Sequence, residues 1–263
     1  MSLHPSKKSK ISILLPTRKR TQQVYDMVRE ALLLAESPSR IEVLIAHDDD
    51  DNESQAFFYS DKWLKMIDRF GATSKVFQTE RYGYIQLFKY VNLLAEEATG
   101  DWLFFMNDDA MIESKSWDRE IRKCDGWFGL LRAQSNHDHP FAIFPIVPKR
   151  WIEEFGCFSL VNHSDWWAYN VAARTNRMRN IMVNISHNRA DLNGMNNDET
   201  FKEQDYSTDG RDPTNLDDYS HPQRQKELRE WQQKMLEIAA VENEEKEKLK
   251  QMKLKELRNE STI

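Results

Sequence analysis

The sequence predicts an α/β domain, a mostly parallel central sheet flanked by helices, with a C-terminal helical extension. Three observations carry that expectation. Over the first 190 or so residues, short apolar runs alternate with amphipathic segments, the βα pattern of a parallel sheet. Two of the runs, Ile11 to Leu15 and Trp102 to Met106, are almost continuously apolar, as strands buried on both faces are. From Gln223 to Arg258 the chain lacks Gly and Pro and is rich in Glu, Lys, Gln and Leu, the composition of a long helix.

Each element has a local reason. Ile11 to Leu15 is the first strand, and Pro16 is expected to stop it, because proline gives the ladder no donor. Thr21 to Leu34 is a helix, with Val24, Val28, Ala31 and Leu32 at helical spacing. Ile41 to Ala46 is a second strand, running into His47 and four aspartates. Ala56 to Phe70 is expected as one helix and Ser74 to Thr79 as a third strand. Tyr84 to Ala98 is a helix stopped by Gly100, and Asp101 to Met106 a central strand that leads into Asn107-Asp108-Asp109. Phe141 to Val147 reads as a strand and Lys149 to Phe155 as a short helix before Gly156. Ser164 to Asn176 is an aromatic-rich helix, followed by a strand from Arg179 to Ile185 that ends near His187. From Asp191 to Tyr219 the composition turns polar, as in a long loop or lid.

In the terminal helix, Leu228, Trp231, Met235 and Ile238 follow a 3-4-3 spacing that resumes at Leu249 and Met252, with Glu242 and Glu245 interrupting it. One reading is a coiled-coil or docking helix through which the chain self-associates. The other is a solvated helix, packed at its start and frayed at its end. The chain therefore divides into a domain over 1–205, a polar linker or lid over 206–221 and a charged helical tail over 222–263.

Composition narrows the function. Asp and Glu outnumber Lys and Arg by 43 to 37, a net charge of −6, which argues against a surface that binds nucleic acid throughout but leaves room for a local basic groove. The two cysteines, Cys124 and Cys157, make no disulfide framework and fit a reducing compartment. The apolar runs are strand-sized, well short of the ~20 residues that span a bilayer. Ser6 to Lys10 is polar and basic, unlike a signal peptide. A cytoplasmic protein without a membrane span is the expectation.

The chemistry collects where an open α/β sheet binds its ligands, beyond the carboxyl ends of the strands. Those ends carry Pro16-Thr17-Arg18-Lys19-Arg20, then His47 with Asp48 to Asp51, then Asn107-Asp108-Asp109, and later His187. Crowded carboxylates repel unless a divalent cation or a donor such as a nucleobase N–H compensates them, and basic groups nearby suit a phosphate. The combination points to a nucleoside diphosphate bound through a metal.

In this order the residues resemble the GT-A glycosyltransferases, specifically the inverting family 2 type. A first strand ends in Pro16-Thr17-Arg18, and a second ends in Asp48-Asp49. The family's A-R-N-x-G-x-x-x-A-x-G-(D/E)-(Y/W) run resembles Lys89-Tyr90-Val91-Asn92 through Gly100-Asp101-Trp102, leading to the D-x-D-like Asn107-Asp108-Asp109. The family's acceptor half resembles Pro148 to Trp151, then Phe155 to Phe158, then Ser164-Asp165-Trp166-Trp167. The resemblance covers about residues 10 to 190, with a donor half over about 10–110 and an acceptor half over about 111–190. It departs from the family at Asn107, which replaces a carboxylate, at Ser164, which replaces a Glu, and at Val91, which replaces an Arg.

The resemblance implies a Rossmann-like GT-A fold and transfer of a sugar, with inversion, from a nucleotide-diphosphate sugar to a hydroxyl of a glycan or similar acceptor. UDP-sugar is the favoured donor and Mn²⁺ or Mg²⁺ the cofactor. Asp109 is implied as the direct metal ligand, with His187 completing the site. Asp108 is implied on the ribose or the metal's water shell, beside Asn107. Pro16, Thr17, Arg18 and Arg20 would line the donor pocket, and either Asp48 or Asp49 would hold base and ribose. Asp50 and Asp51 are then left as solvated charge. Lys89 and Asn92 would lie near the diphosphate. Asp165 is the candidate general base, with Trp166 and Trp167 desolvating it and stacking on the acceptor. Structural readings stand beside these: Asp109 in a turn, Asp165 as the first-turn acid of a helix, His187 in the core. Lys149, Arg150, Arg174, Arg177 and Arg179 form a basic group that would face the diphosphate, an anionic acceptor or solvent. Two alternatives remain open: a phage-type enzyme acting on hydroxymethylated DNA bases, and a non-catalytic nucleotide-binding or assembly module on a GT-A scaffold.

Overall fold

The computed structural model describes residues 9–136, 139, 141–188 and 213–260, with side chains to residue 253. Eight strands form one sheet: β1 (Ile11–Pro16), β2 (Ile41–Asp48), β3 (Thr73–Thr79), β4 (Trp102–Phe105), β5 (Ala110–Ile112), β6 (Leu130–Ser135), β7 (Pro145–Pro148) and β8 (Met178–His187). Their order is β3-β2-β1-β4-β7-β6-β8-β5. The first four strands in that order are parallel. Beyond β4 the sheet becomes mixed: β7 opposes both β4 and β6, β8 runs with β6, and β5 opposes β8.

The helices are α1 (Thr21–Leu34), α2 (Asn52–Phe58), α3 (Asp61–Arg69), α4 (Leu87–Glu97), α5 (Trp117–Arg122), α6 (Arg150–Phe155), α7 (Ser164–Ala173) and α8 (Pro222–Glu260). They cover both faces, which is why the central strands read as continuous apolar runs. Alternate residues point to opposite faces. Ile11, Ile13, Val43, Ile45, Trp102 and Phe104 join one core with α1, α3 and α5. Leu14, Leu44, Leu103 and Phe105 join the other with α4, α7 and α8. Each such side chain contributes about 1.5–3 kcal/mol by leaving water.

Several boundaries differ from expectation for local reasons. Pro16 is the last residue of β1 rather than its stop, and Thr17 N still donates to Ala46 O across the ladder (2.9 Å). The single helix expected over Ala56 to Phe70 is two, because Ser60 takes an extended backbone and its hydroxyl caps Trp63 N of α3 (3.4 Å). Gly100 does not cap α4, which ends on extended Ala98. Instead it lies against β1, where a Cβ would come within 2.5 Å of Ser12 Oγ. The short β5, α5 and β6 escaped the periodicity argument altogether. Of the expected polar loop, residues 189–212 lie outside the described residues, and 213–221 form turns leading into α8.

The first half of α8 belongs to the globular core. Leu228, Met235 and Ile238 are buried against the α7 side, and Trp231 stacks on Phe155 with centroids 4.5 Å apart. Glu242 does not break a solvated seam. It is buried and paired with Arg177 and, at 3.2 Å, with Arg150. Leu249 and Met252 are exposed. Among the described residues no helix is long and apolar enough to cross a membrane.

Candidate active site

Strand direction fixes which groups meet. Since β7 opposes β4 and β6 alike, β6 and β8 run with β4, and the carboxyl ends of β1, β2, β4 and β8 share one edge. The chain leaves β4 through Asn107-Asp108-Asp109 and reverses at once into β5, whose first residue, Ala110, pairs with His187 at the end of β8. Asn188 N donates to the Asp109 carbonyl (2.8 Å) and His187 N to Asn136 Oδ1 (2.8 Å), locking the register. Asp109 Oδ1 therefore lies 3.0 Å from His187 Nε2, and the Asn107 amide lies 3.4 Å from the same nitrogen.

Asp108 faces the first strand. Its carboxylate accepts from Thr17 Oγ1 (2.8 Å) and from Arg20 Nη1 (2.6 Å), and Arg20 also lies 3.8 Å from Asp109 Oδ2. All four groups are buried. Burial pushes the Asp108 carboxyl above the usual range; Arg20 opposes this and the neighbouring Asp109 adds to it.

A second cluster closes the end of β2. Asp48 is buried, and its Oδ2 accepts from Arg18 Nη1 (2.7 Å) while its Oδ1 accepts from the hydroxyl of Tyr90 on α4. Arg18 also pairs with Asp50, which raises the guanidinium's already high pKa. Asp49 turns its side chain to solvent as its backbone N–H joins Thr79 O (2.7 Å). Asp51 corrects the expectation of solvated charge. It is buried, caps Ser54 N of α2 (3.1 Å) and accepts from Lys19 N (2.7 Å), where Lys19 takes a left-handed φ of 55°. Burial alone would raise its pKa, yet these hydrogen bonds hold it below the usual value. Arg18 and Arg20 thus already compensate the carboxylates, a task first assigned to a cation and a nucleobase.

The residues expected at the acceptor are placed by α7. This helix packs against β6, β7 and β8, and its last turn leads directly into β8, with Arg177 N donating to Ala172 O (2.8 Å). Its N-terminus, with Asp165, accordingly lies at the same edge as His187. Asp165 is half-buried and accepts only from its neighbour Trp166 N (2.8 Å) among its described hydrogen bonds. Trp166 is half-buried and packs on Tyr219 at 4.4 Å. Trp167 is a correction: it is fully buried, edge-on to Trp231 at 5.3 Å, and has no face for an acceptor. Residues 215–219 strap the two halves together. Asp217 Oδ2 accepts from Gln86 Nε2 (2.9 Å) and the Asp217 carbonyl accepts from Asn162 N (3.0 Å).

Other expected contacts are engaged elsewhere. Asn92 uses its amide to hold the loop before α7, accepting from Phe158 N and Ser159 N (3.0 Å each) and donating to Ser159 O (2.8 Å). Lys89 bonds Gln86 (3.1 Å) and sits 4.9 Å over the Tyr82 ring, at the entrance of α4. The basic group does not face this edge. Lys149 bonds the carbonyls of Ala95 and Glu96 (2.6 and 2.9 Å), Arg177 donates to Phe128 O (2.7 Å), and Arg179 packs on Trp127 (4.2 Å). Tyr90 was missed, since an aromatic on the buried face of a helix carries no signal of an Asp partner.

Among the described residues no three His, Cys, Asp or Glu side chains form a metal cage. Asp109 and His187 nonetheless fit two positions of one. Ligand bonds of about 2.1 Å at right angles separate neighbouring donor atoms by about 3.0 Å, the Asp109–His187 spacing observed. One carboxylate and one imidazole suit Mn²⁺ better than Mg²⁺, which prefers oxygen throughout.

No protein-family description matches the chain, and no curated protein matches it in sequence. Solved structures do. The mannosyltransferase PcManGT of Pyrobaculum calidifontis, determined with GDP-Man and Mn²⁺, superposes with a TM-score of 0.54 at 14% identity, over 70% of this chain and 58% of that one. S. aureus TarS 1-349 superposes with a TM-score of 0.50 at 15% identity, over 68% and 60%. The chain has the GT-A fold. It spans about three fifths of the length of these two solved chains. The clusters around Asp48 and around Asp108–Asp109 and the α7 N-terminus lie along the same carboxyl edge of the sheet.

Proposed function

We infer that this protein is an inverting glycosyltransferase that moves a sugar from a nucleotide-diphosphate sugar, UDP-sugar favoured, to a hydroxyl of a glycan or similar acceptor. The observation that carries the reading is the buried Asp109–His187 pair beside Asp108 and Arg20, at the carboxyl edge of a GT-A sheet. Asp109 and His187 would hold Mn²⁺, which when bound offsets charge on the departing diphosphate. Asp48, fixed by Arg18 and Tyr90, is the acceptor for base or ribose donors; exposed Asp49 is the other. Thr17, Arg20 and Asp108 form a rigid floor rather than free ligands. Lys89, at the mouth of α4, would have to leave Gln86 to meet phosphate.

Asp165 serves as general base, taking the proton of the acceptor hydroxyl as it attacks the anomeric carbon from the side opposite the diphosphate. Its carboxylate accepts from Trp166 N, and the Trp166 ring beside it in sequence packs on Tyr219. The internal pairing of Lys149, Arg150 and Arg177 leaves the DNA-acceptor alternative without support in the geometry.

A thermal-shift panel of UDP, GDP, ADP and their sugars, with and without Mn²⁺, tests the reading. One nucleotide should raise the melting point in a concentration-dependent way, by mass action, and Asp109→Ala should abolish the Mn²⁺-dependent part. Flat melting curves for every nucleotide would overturn the assignment.

A further inference from the structure

We propose that Tyr90 is a positioning residue of the donor site: its hydroxyl latches the loop before α4 to the Asp48 carboxylate and so sets how Asp48 meets a nucleotide. This deepens the donor-site reading above and rests on it. A phenol has one proton and two acceptor lone pairs, and here all three are used. The Tyr90 hydroxyl accepts from Tyr82 N (2.8 Å) and from Gly83 N (3.3 Å), so its own proton goes to Asp48 Oδ1. Arg18 holds the other carboxylate oxygen at 2.7 Å. Asp48 is thereby clamped between the first strand's exit and α4.

The loop end of the latch is equally specific. Gly83 has φ 68° and ψ −177°, a backbone region open essentially to glycine alone. That conformation turns the chain toward α4, whose Tyr90 hydroxyl receives the two consecutive N–H groups just before the turn. The Tyr82 ring packs edge-on against Tyr90 at 5.0 Å and carries Lys89 over its face. Loop, cation and carboxylate therefore share one joint. Burial and the Asp48 charge both push the Tyr90 hydroxyl upward in pKa, so the proton stays on the phenol throughout the working pH range.

The test is nucleotide binding by calorimetry, using UDP and GDP with Mn²⁺ on the full chain. Tyr90→Phe keeps the ring packing and removes only the latch. It should weaken binding about tenfold, the usual effect of losing a hydrogen bond to a charged group, and raise the donor KM with kcat little changed. In the double variant with Asp48→Ala, which removes the acceptor of the latch, the Tyr90→Phe effect should vanish, because both act through one carboxylate; two additive losses would mean that Tyr90 merely supports the fold. Gly83→Ala reaches the latch from the other end, since a Cβ there meets nothing within 4 Å and only the backbone is disturbed. It should weaken binding as well, and it serves if Tyr90→Phe fails to fold. Equal affinity of wild type, Tyr90→Phe and Gly83→Ala overturns the latch alone. A wild type that binds neither nucleotide overturns the donor-site reading, and the latch with it.

Discussion

At the scale of the residue, the same side-chain type does different work within a few positions. Of the four aspartates after β2, Asp48 is buried on Arg18 and Tyr90, Asp49 and Asp50 lie outside, and Asp51 caps a helix. A run of identical letters gives no way to rank them; the backbone turn at Lys19 and the start of α2 do the sorting. The place of Asp165 in the first turn of an aromatic-rich helix was legible, whereas Trp167 was misread because an adjacent pair of tryptophans must point to different faces of a helix. Asp165→Asn keeps the size and the Trp166 hydrogen bond but removes the proposed base. It should lower kcat by about a hundredfold or more and leave nucleotide affinity at the wild-type value. Unchanged turnover in a product assay would remove Asp165 from the mechanism.

At the scale of the element, the parallel half of the fold was readable, and in the mixed half β7, α6, α7 and β8 were as well, whereas β5, α5 and β6 were not. Strands covered on both faces announce themselves as apolar runs, and β1, β2 and β4 all do. The three-residue β5 is too short to show any period, although its register with β8 is what brings Asp109 to His187. Glu242 shows the same limit from another side. In sequence it interrupts a heptad-like seam; in the fold it neutralises Arg177, which is bound to the Phe128 carbonyl where β6 begins. Glu242→Ala leaves that guanidinium buried without its partner. A loss of about 3 kcal/mol is expected, measurable as a lower urea midpoint with an unchanged slope. A midpoint equal to wild type would show that the pair is not needed to dock α8.

At the scale of the whole molecule, α8 is two things in one helix. Up to Glu242 it completes the core over α7; from 243 to 253 its residues are exposed. The seam's interruption at Glu242 and Glu245 marks the region of the boundary in the sequence, and the buried positions fix it. Removing residues 244–263 should move the melting point by no more than about 2 °C, as surface changes do. Removing residues 222–263 strips the cover from Trp151, Trp167 and Phe155 and should yield aggregated or molten protein, seen as dye binding and a lost near-UV signal. Equal stability of the two truncations would place all of α8 outside the fold.

The reversal from β4 into β5 has a consequence for the energetics of capture. Asp109 and His187 are anchored by backbone ladders on both sides, so they cannot separate without unzipping an edge of the sheet. Their spacing exists before any donor arrives. On the proposed reading, binding would demand little reorganisation there, and the polar environment would already be oriented toward the charge that develops as the donor's bond breaks.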